Sequence, residues 1–170
     1  AIATYQNSIG EWYTFRYLEN VGSGVTSVTA TYNGGTPGTV NTALIEFSGV
    51  ATASAFITSV KQTQATPGIT TDAITSGTTS VTVSGGALVM GVTFNQGGGD
   101  TVGGTDFTTE LDNDDLTVYH KRITTTASHA ATATAAIRGL LDSYETVMLA
   151  FNEPAAAAGN PKILMLLGVG

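Results

Sequence analysis

Short runs of β-branched and aromatic residues recur along the chain, and clusters of Gly, Asn, Asp and Pro separate them. Residues 25–32 (VTSVTATY) show this most clearly, because Val28 and Tyr32 fall on one side of an alternating pattern and the turn residues 33–35 (NGG) follow. Alternation of period two is typical of strands with one buried face. Many such runs between turn signals predict an all-β fold, built as an antiparallel two-sheet β-sandwich.

Seven further segments carry the same signature, which brings the total to about eight to ten strands. Leu44, Ile45 and Phe47 make the first of these segments apolar, so we expect it to lie at the centre of its sheet. The Ala-rich residues 127–142 could also be interpreted as a helix, but their Thr-Ala alternation favours a strand. The Gly-rich residues 96–104 are predicted to form an exposed loop. The seven segments are 42–50, 55–61, 79–83, 87–95, 116–126, 131–137 and 146–151.

The last residues of the sequence are organised differently. Residues 153–161 (EPAAAAGNP) hold Pro near both ends and predict a linker after a sandwich domain at 1–152. Residues 162–170 (KILMLLGVG) are strongly apolar and therefore need a burial partner. We expect this segment to form a strand or arm that packs on its own sheet edge or on a neighbouring subunit. The residues expected at that contact are Ile163, Leu164, Met165, Leu166 and Leu167.

Composition excludes several classes of function. The chain has 11% charged residues, six scattered Lys and Arg, and a formal net charge of −7. Nucleic-acid binding needs a clustered cationic surface, so no nucleic-acid partner is expected. There is no cysteine, which excludes disulfides, thiolate chemistry and Cys-based zinc sites. No apolar run reaches the roughly 20 residues of a membrane helix, so no membrane partner is expected, and Ala1 is compatible with removal of an initiator Met, signal cleavage or a maturation cut.

An acid-rich stretch at 106–115 contains candidate metal ligands. The carboxylates of Asp112, Asp114 and Asp115 have the oxygen chemistry that calcium prefers. However, the stretch lacks the Gly and the closing Glu of an EF-hand loop, and a solvated hairpin turn explains the same residues. Calcium is therefore the lesser interpretation, and no cofactor is expected.

Aromatic residues crowd the segment 11–20 (EWYTFRYLEN). On a strand, Trp12 faces the side opposite Tyr13 and Tyr17. The ordinary interpretation places the Tyr13 face in the core and Trp12 over an edge. The alternative is a stacking platform for sugar rings formed by Trp12, Tyr13 and Tyr17.

No catalytic signature stands out in the sequence. It has no Gly-x-Ser-x-Gly nucleophile elbow, and its two histidines, His120 and His129, are expected near the surface. The Gly-rich residues 97–104 lack the Gly-Lys-Ser/Thr ending of a phosphate loop. Two of the thirteen acids could form a glycosidase pair, but the sequence selects no pair. We therefore expect a protein that is not an enzyme.

Five sequence segments follow one another in a distinctive order, and this order is more informative than any single motif among them. They are residues 11–20, 24–34, 43–50 (ALIEFSGV), 78–92 (TTSVTVSGGALVMGV) and 145–154 (ETVMLAFNEP). Their order resembles that of the jelly-roll-like β-sandwich domains of tailed-phage structural proteins and of some secreted bacterial proteins, and the resemblance extends over most of residues 12–154. The resemblance implies a virion-surface role, such as capsid decoration or a tail or fibre appendage, and it transfers no active-site residues.

The leading hypothesis is thus a virion structural protein that binds other virion proteins of the capsid or tail and associates with itself as a homo-oligomer. The second is a carbohydrate-binding β-sandwich module that contacts a cell-surface glycan. The third is an extracellular filament subunit that uses strand exchange, because the apolar residues 162–170 could complete a neighbour's sheet.

Overall fold

The structure is a computed structural model, and it consists of strands, turns and irregular segments without a helix in the part of the chain that it describes. All of its strand pairs are antiparallel, which confirms the all-β prediction. Among the described residues, no helix is long and apolar enough to cross a membrane. The described residues are 3–6, 12–19, 21, 25–29, 31, 41–51, 53–65, 71–95, 101–113, 115–136, 143–153 and 162–169.

The described strands are numbered in chain order. They are β1 (Ala3–Gln6), β2 (Trp12–Glu19), β3 (Asn41–Ser48), β4 (Phe56–Ala65), β5 (Thr71–Thr75), β6 (Leu88–Asn95), β7 (Thr101–Gly103), β8 (Thr108–Asp112), β9 (Leu116–Arg122), β10 (Thr132–Ala136), β11 (Ser143–Phe151) and β12 (Lys162–Val169).

The chain divides into two compact units. The first unit combines Ala1–Ala55 with Pro154–Gly170, and the second unit is Phe56–Glu153. The linker predicted at 153–161 lies outside the described residues except for Glu153. The domain boundaries predicted from the sequence stay a prediction.

In the first unit, β1, β2, β12 and β3 form one sheet in that order. The apolar strand β12 lies between β2 and β3, so both of its backbone edges are hydrogen-bonded within the chain's own sheet. One face of the sheet is buried and holds Tyr13, Phe15, Phe47 and Met165. Tyr5 packs edge-on against Phe15, with ring centroids 6.2 Å apart.

The described strands of the second unit form two sheets. The larger has the order β4-β11-β6-β9-β8 and the smaller the order β5-β10-β7. A single apolar cluster draws side chains from both sheets, among them Ile74 of β5, Ala133 of β10, Val89 of β6, Tyr119 of β9 and Met148 of β11. Burial of this apolar surface is the main stabilising contribution in the unit.

A close backbone approach fixes one of the two tyrosine rings of this cluster. A side-chain carbon added at Gly91 on β6 would overlap the ring of Tyr119, which crosses the strand there. The Tyr119 hydroxyl lies 3.1 Å from Thr93 Oγ1, and Thr93 Oγ1 lies 3.3 Å from Thr146 Oγ1. Burial raises the pKa of Tyr119 to about 12, although the hydrogen bond to Thr93 lowers it. Glycine at 91 therefore makes room for a ring whose hydroxyl is satisfied inside the core.

A buried carboxylate lies on β11. Glu145 is almost fully buried, and its Oε2 accepts a hydrogen bond of 3.2 Å from Lys61 Nζ, while its Oε1 accepts one of 3.1 Å from Thr63. Both partners belong to β4, the neighbouring strand. Pairing with an opposite charge and a hydroxyl satisfies the carboxylate, as a buried charge requires.

Two predicted strands are wrong. Residues 25–29 and 31 belong to no strand, and Val28, expected to face inward, is exposed; residues 30 and 32 lie outside the described part of the chain. Residues 79–83 contribute only an isolated bridge between Val83 and Ala127. Alternation rich in Ser and Thr therefore does not by itself produce a strand, because strand propensity describes the fit of side chains to a pleated surface and does not supply a pairing partner.

Two further expectations need correction. Strand β3 lies at the edge of its sheet among the described strands, because β12 occupies the central position beside it. Residues 101–103 were predicted as part of a loop, but they form β7 and pair with β10, with Thr101 buried. Both errors concern long-range pairing, which local sequence does not specify.

Candidate interaction surface

Strand β2 has two chemically different faces, because its side chains alternate. Tyr13 and Phe15 are buried, whereas Trp12, Arg16 and Leu18 are exposed. The alternation follows directly from the pleat of a strand with one covered face. β2 therefore presents apolar and charged side chains to solvent on the side opposite its core.

Strand β12 contains the residues predicted to form an interface. Its backbone pairs Ile163 with Glu19 and Phe47, and Met165 with Tyr17 and Ile45. Met165 is fully buried. Leu164, Leu166 and Leu167 also lie within this strand, and the side chains of those three and of Ile163 are outside what the structure describes. The structure places this segment inside the chain's own sheet, and its contact with a neighbouring subunit stays a prediction.

The sheet register defines two adjacent rows across the exposed face. Leu166 lies between Arg16 on β2 and Leu44 on β3, so these three positions form one row. Leu164 lies between Leu18 and Glu46 in the next row. Leu18 is 56% exposed and Leu44 48% exposed, and Arg16 and Glu46 are exposed as well. We call these four exposed residues, Arg16, Leu18, Leu44 and Glu46, the β2/β3 patch.

Large apolar side chains that are exposed in neighbouring rows of a sheet have a different significance from ones scattered over a surface. Isolated surface leucines are ordinary, but grouped apolar residues rimmed by charge mark contact surfaces. In the β2/β3 patch, two leucines lie within one row of each other and a cation and an anion flank them. The patch is thus chemically suited to bind another protein surface.

The three aromatic residues predicted to bind a glycan do not share a face. Trp12 is 50% exposed, whereas Tyr13 is 2% exposed and lies in the core. Tyr17 is half-buried, and its hydroxyl donates a hydrogen bond of 3.1 Å to Glu19 Oε1, which also accepts one of 2.7 Å from the Ala55 backbone amide. Among these three rings, only that of Trp12 is placed for stacking on a sugar.

The predicted calcium ligands lie at a hairpin between β8 and β9. Asp112 and Asp115 are exposed, and Asp114 lies outside the described residues. Asn113 Oδ1 accepts hydrogen bonds from the backbone amides of Asp115 and Leu116, and Asp112 Oδ1 accepts one from Thr117. Across the described ranges, no three His, Asp or Glu residues are grouped so as to hold a metal ion. The calcium site stays a prediction.

Both histidines are partly buried, which is compatible with the position near the surface expected for them. His120 is half-buried on β9, between β6 and β8, and its Nδ1 lies 3.2 Å from Glu110 Oε1. The pKa of His120 is lowered, chiefly because the side chain is partly buried. The nearby Glu110 carboxylate opposes this pKa shift, and Arg122 adds to it. His129 is partly buried, and its Nε2 lies 3.0 Å from the Thr125 carbonyl oxygen. Each histidine thus has a local partner within the second unit.

Comparison with family models, curated proteins and solved structures found no match for the chain.

Sequence reasoning missed the four residues of the β2/β3 patch. The alternation of EWYTFRYLEN already places Arg16 and Leu18 on the same face as Trp12. It does not reveal Leu44 and Glu46 as their neighbours, because that requires β12 to lie between β2 and β3. The missing information was the pairing partner of the apolar segment.

Proposed function

We propose that the chain is a non-enzymatic structural protein of a tailed-phage virion, a capsid decoration or a tail- or fibre-associated protein that assembles as a homo-oligomer on the virion surface. Its fold is a jelly-roll-like β-sandwich in this proposal. The apolar cluster that draws on both sheets of the second unit supports the sandwich. The resemblance of the segments at 11–154 supports the virion role.

The observation that carries the proposal is the β2/β3 patch. Leu18 and Leu44 expose about half of their surface while the opposite face of the same sheet is buried. A protein whose surface holds few charges and whose sheet exposes grouped leucines is suited to contacts between chains. A structural role uses such contacts directly.

Immunogold electron microscopy tests the virion role. Antibodies raised against the purified full chain should label capsids or tails of particles isolated from the culture that produces the protein. Particles without gold, in a culture where the chain remains free in solution, would contradict the proposal. A preimmune serum on the same particles is the control.

A carbohydrate-binding module is the second candidate, and the exposed ring of Trp12 favours it. An exposed tryptophan offers a broad apolar ring face together with an indole N–H donor, a combination that suits stacking on a sugar ring. In a glycan array, the full chain should bind one class of sugar and the Trp12→Ala variant should lose that binding. A folded chain that binds no sugar on the array overturns this candidate.

Strand exchange, the third hypothesis, has less support. β12 is paired along both edges within its own sheet, over seven positions with β2 and eight with β3. Donation of this strand to a neighbour would first break both ladders. A discrete oligomer formed through exposed faces needs no such step.

A further inference from the structure

The β2/β3 patch has an arrangement of charges that suits one particular partner. Arg16 and Leu44 share one row, and Leu18 and Glu46 share the next. The cation and the anion therefore lie on one diagonal of the patch, and the two leucines lie on the other. Strand β12 lies between β2 and β3, so the patch is two strand spacings of about 4.8 Å wide, and residues i and i+2 along each strand lie about 6.8 Å apart. Each diagonal of the patch therefore spans roughly 12 Å.

This arrangement is complementary to itself under a two-fold rotation. Let a second copy lie face to face with the first, with the rotation axis in the plane of contact along the Leu18 and Leu44 diagonal. Arg16 of each subunit then lies within roughly 4 Å, in projection on the contact plane, of Glu46 of the partner subunit, and each leucine lies opposite its own counterpart. An isologous interface requires this reciprocity, in which residue i contacts j and j contacts i.

The same axis sets the packing angle of the two sheets. It makes an angle of roughly 55° with the strands, so the strands of the two copies cross at roughly 70°. That angle is close to the orthogonal class of sheet packing. The charge pattern and a known mode of face-to-face packing thus agree.

We infer that the β2/β3 patch is a two-fold interface between two copies of this chain, with Leu18 and Leu44 on its rotation axis and reciprocal Arg16 and Glu46 ion pairs on either side of that axis. The inference rests on the proposed assembly function and names its partner and symmetry. Opposite charges fix the orientation, and the leucines supply apolar burial.

Charge reversal tests the reciprocity. Arg16→Glu places two anions on the patch and Glu46→Arg places two cations, so each variant repels itself. Sedimentation velocity at about 100 µM should show a dimer for the unaltered chain and at least about tenfold weaker association for each single variant. An equimolar mixture of the two variants should restore the dimer, because both cross-pairs are then complementary.

Asp115→Arg is the matched control, since Asp115 is exposed on the second unit and the change in net charge equals that of Glu46→Arg. It should leave the dimer intact. A mixture of Arg16→Glu and Glu46→Arg that stays as weakly associated as each variant alone contradicts the inference.

A second measurement does not depend on charge variants folding. The chain contains no cysteine, so a single Leu44→Cys substitution gives one reactive site. Facing sheets lie about 10 Å apart, so a short bismaleimide should link two copies through Cys at this position. Val102→Cys, at another exposed apolar position, should not be linked into a dimer. Equal linking of both variants, or of neither, contradicts the inference.

The proposed virion role and the inferred two-fold interface can each be contradicted without the other. Virion labelling without a charge-dependent dimer removes the interface and leaves the virion role. A charge-dependent dimer that labels no virion removes the virion role and leaves the interface.

Discussion

The sheet of the first unit and the larger sheet of the second unit bury their strands differently. In β2 the burial alternates from residue to residue, whereas in β6 every residue is buried and in β11 all but the first are. Strands covered on both faces need near-continuous apolar sequence, and strands covered on one face need alternation. Apolar residues of β6 and β11 therefore serve the fold, while those on the outer face of β2 and β3 remain available for binding.

The largest loss of stability should come from placing a charge in the larger sheet of the second unit, where β6 and β11 are buried on both faces. Met148 on β11 is fully buried in the cluster of the second unit. Met148→Asp buries an unpaired carboxylate there, so we expect the chain to lose more than about 4 kcal/mol of unfolding free energy. Urea unfolding followed by circular dichroism measures it. Val102→Asp, at a residue 58% exposed, is the control, and equal stability of the two variants would show that this sheet is not the core.

A smaller loss is expected from filling the space over Gly91. The Gly91→Ala methyl group overlaps the buried Tyr119 ring, and overpacking of this kind costs about 3 kcal/mol. In a Tyr119→Ala background the ring is absent, so the added cost of Gly91→Ala should largely disappear. Denaturant unfolding of the four proteins in this cycle tests the contact, and simple additivity of the two substitutions would argue against it.

Removal of the Tyr119 hydroxyl should have a modest effect with a distinct pH dependence. Thr93 keeps Thr146 as a partner, so Tyr119→Phe should cost about 1 kcal/mol near neutral pH. The folded pKa of Tyr119 is about 12, above its ordinary value of 10.0. The unfolded chain thus loses this proton first, and stability should fall as the pH rises from 10 to 12.

Thermal melts across that pH range measure the difference between the two proteins. The Tyr119→Phe variant should show a shallower alkaline decline than the unaltered chain. Parallel declines would mean that the hydroxyl ionises at its ordinary pKa despite its burial.

The strands with apolar or aromatic sequence could be predicted, because their patterns are local. The prediction for 87–95 differs from β6 by one residue, and the segment 131–137 contains β10. Residues 25–29 and 31 show that the same pattern, built from Thr, Ser and Val, also occurs outside strands. Propensity describes a half-buried pleated surface but does not supply the neighbouring strand.

The candidate site depended on long-range pairing, so the sequence revealed only half of it. Alternation placed Arg16 on the face of Trp12, but the apolar sequence around Leu44 indicated a central strand. In the structure the central position belongs to β12, and Leu44 lies on an edge strand with its side chain half exposed. The apolar segment 162–170 therefore has its backbone partners in its own chain, and the exposed leucines beside it carry the proposed contact.

This placement of β12 also changes which experiment is informative. Deletion of residues 162–170 would remove a central strand of the first unit and would disrupt folding together with assembly. A substitution on the outer face separates the two.

The central claim is that the β2/β3 patch holds subunits together without stabilising the individual chain. Sedimentation velocity of Leu44→Asp, with Val102→Asp as the matched control, tests it most directly. Both positions are about half exposed, so each variant should keep its stability within about 0.5 kcal/mol. We expect Leu44→Asp to sediment as a monomer and Val102→Asp as a dimer. Equal sedimentation of Leu44→Asp and the unaltered chain would contradict the account.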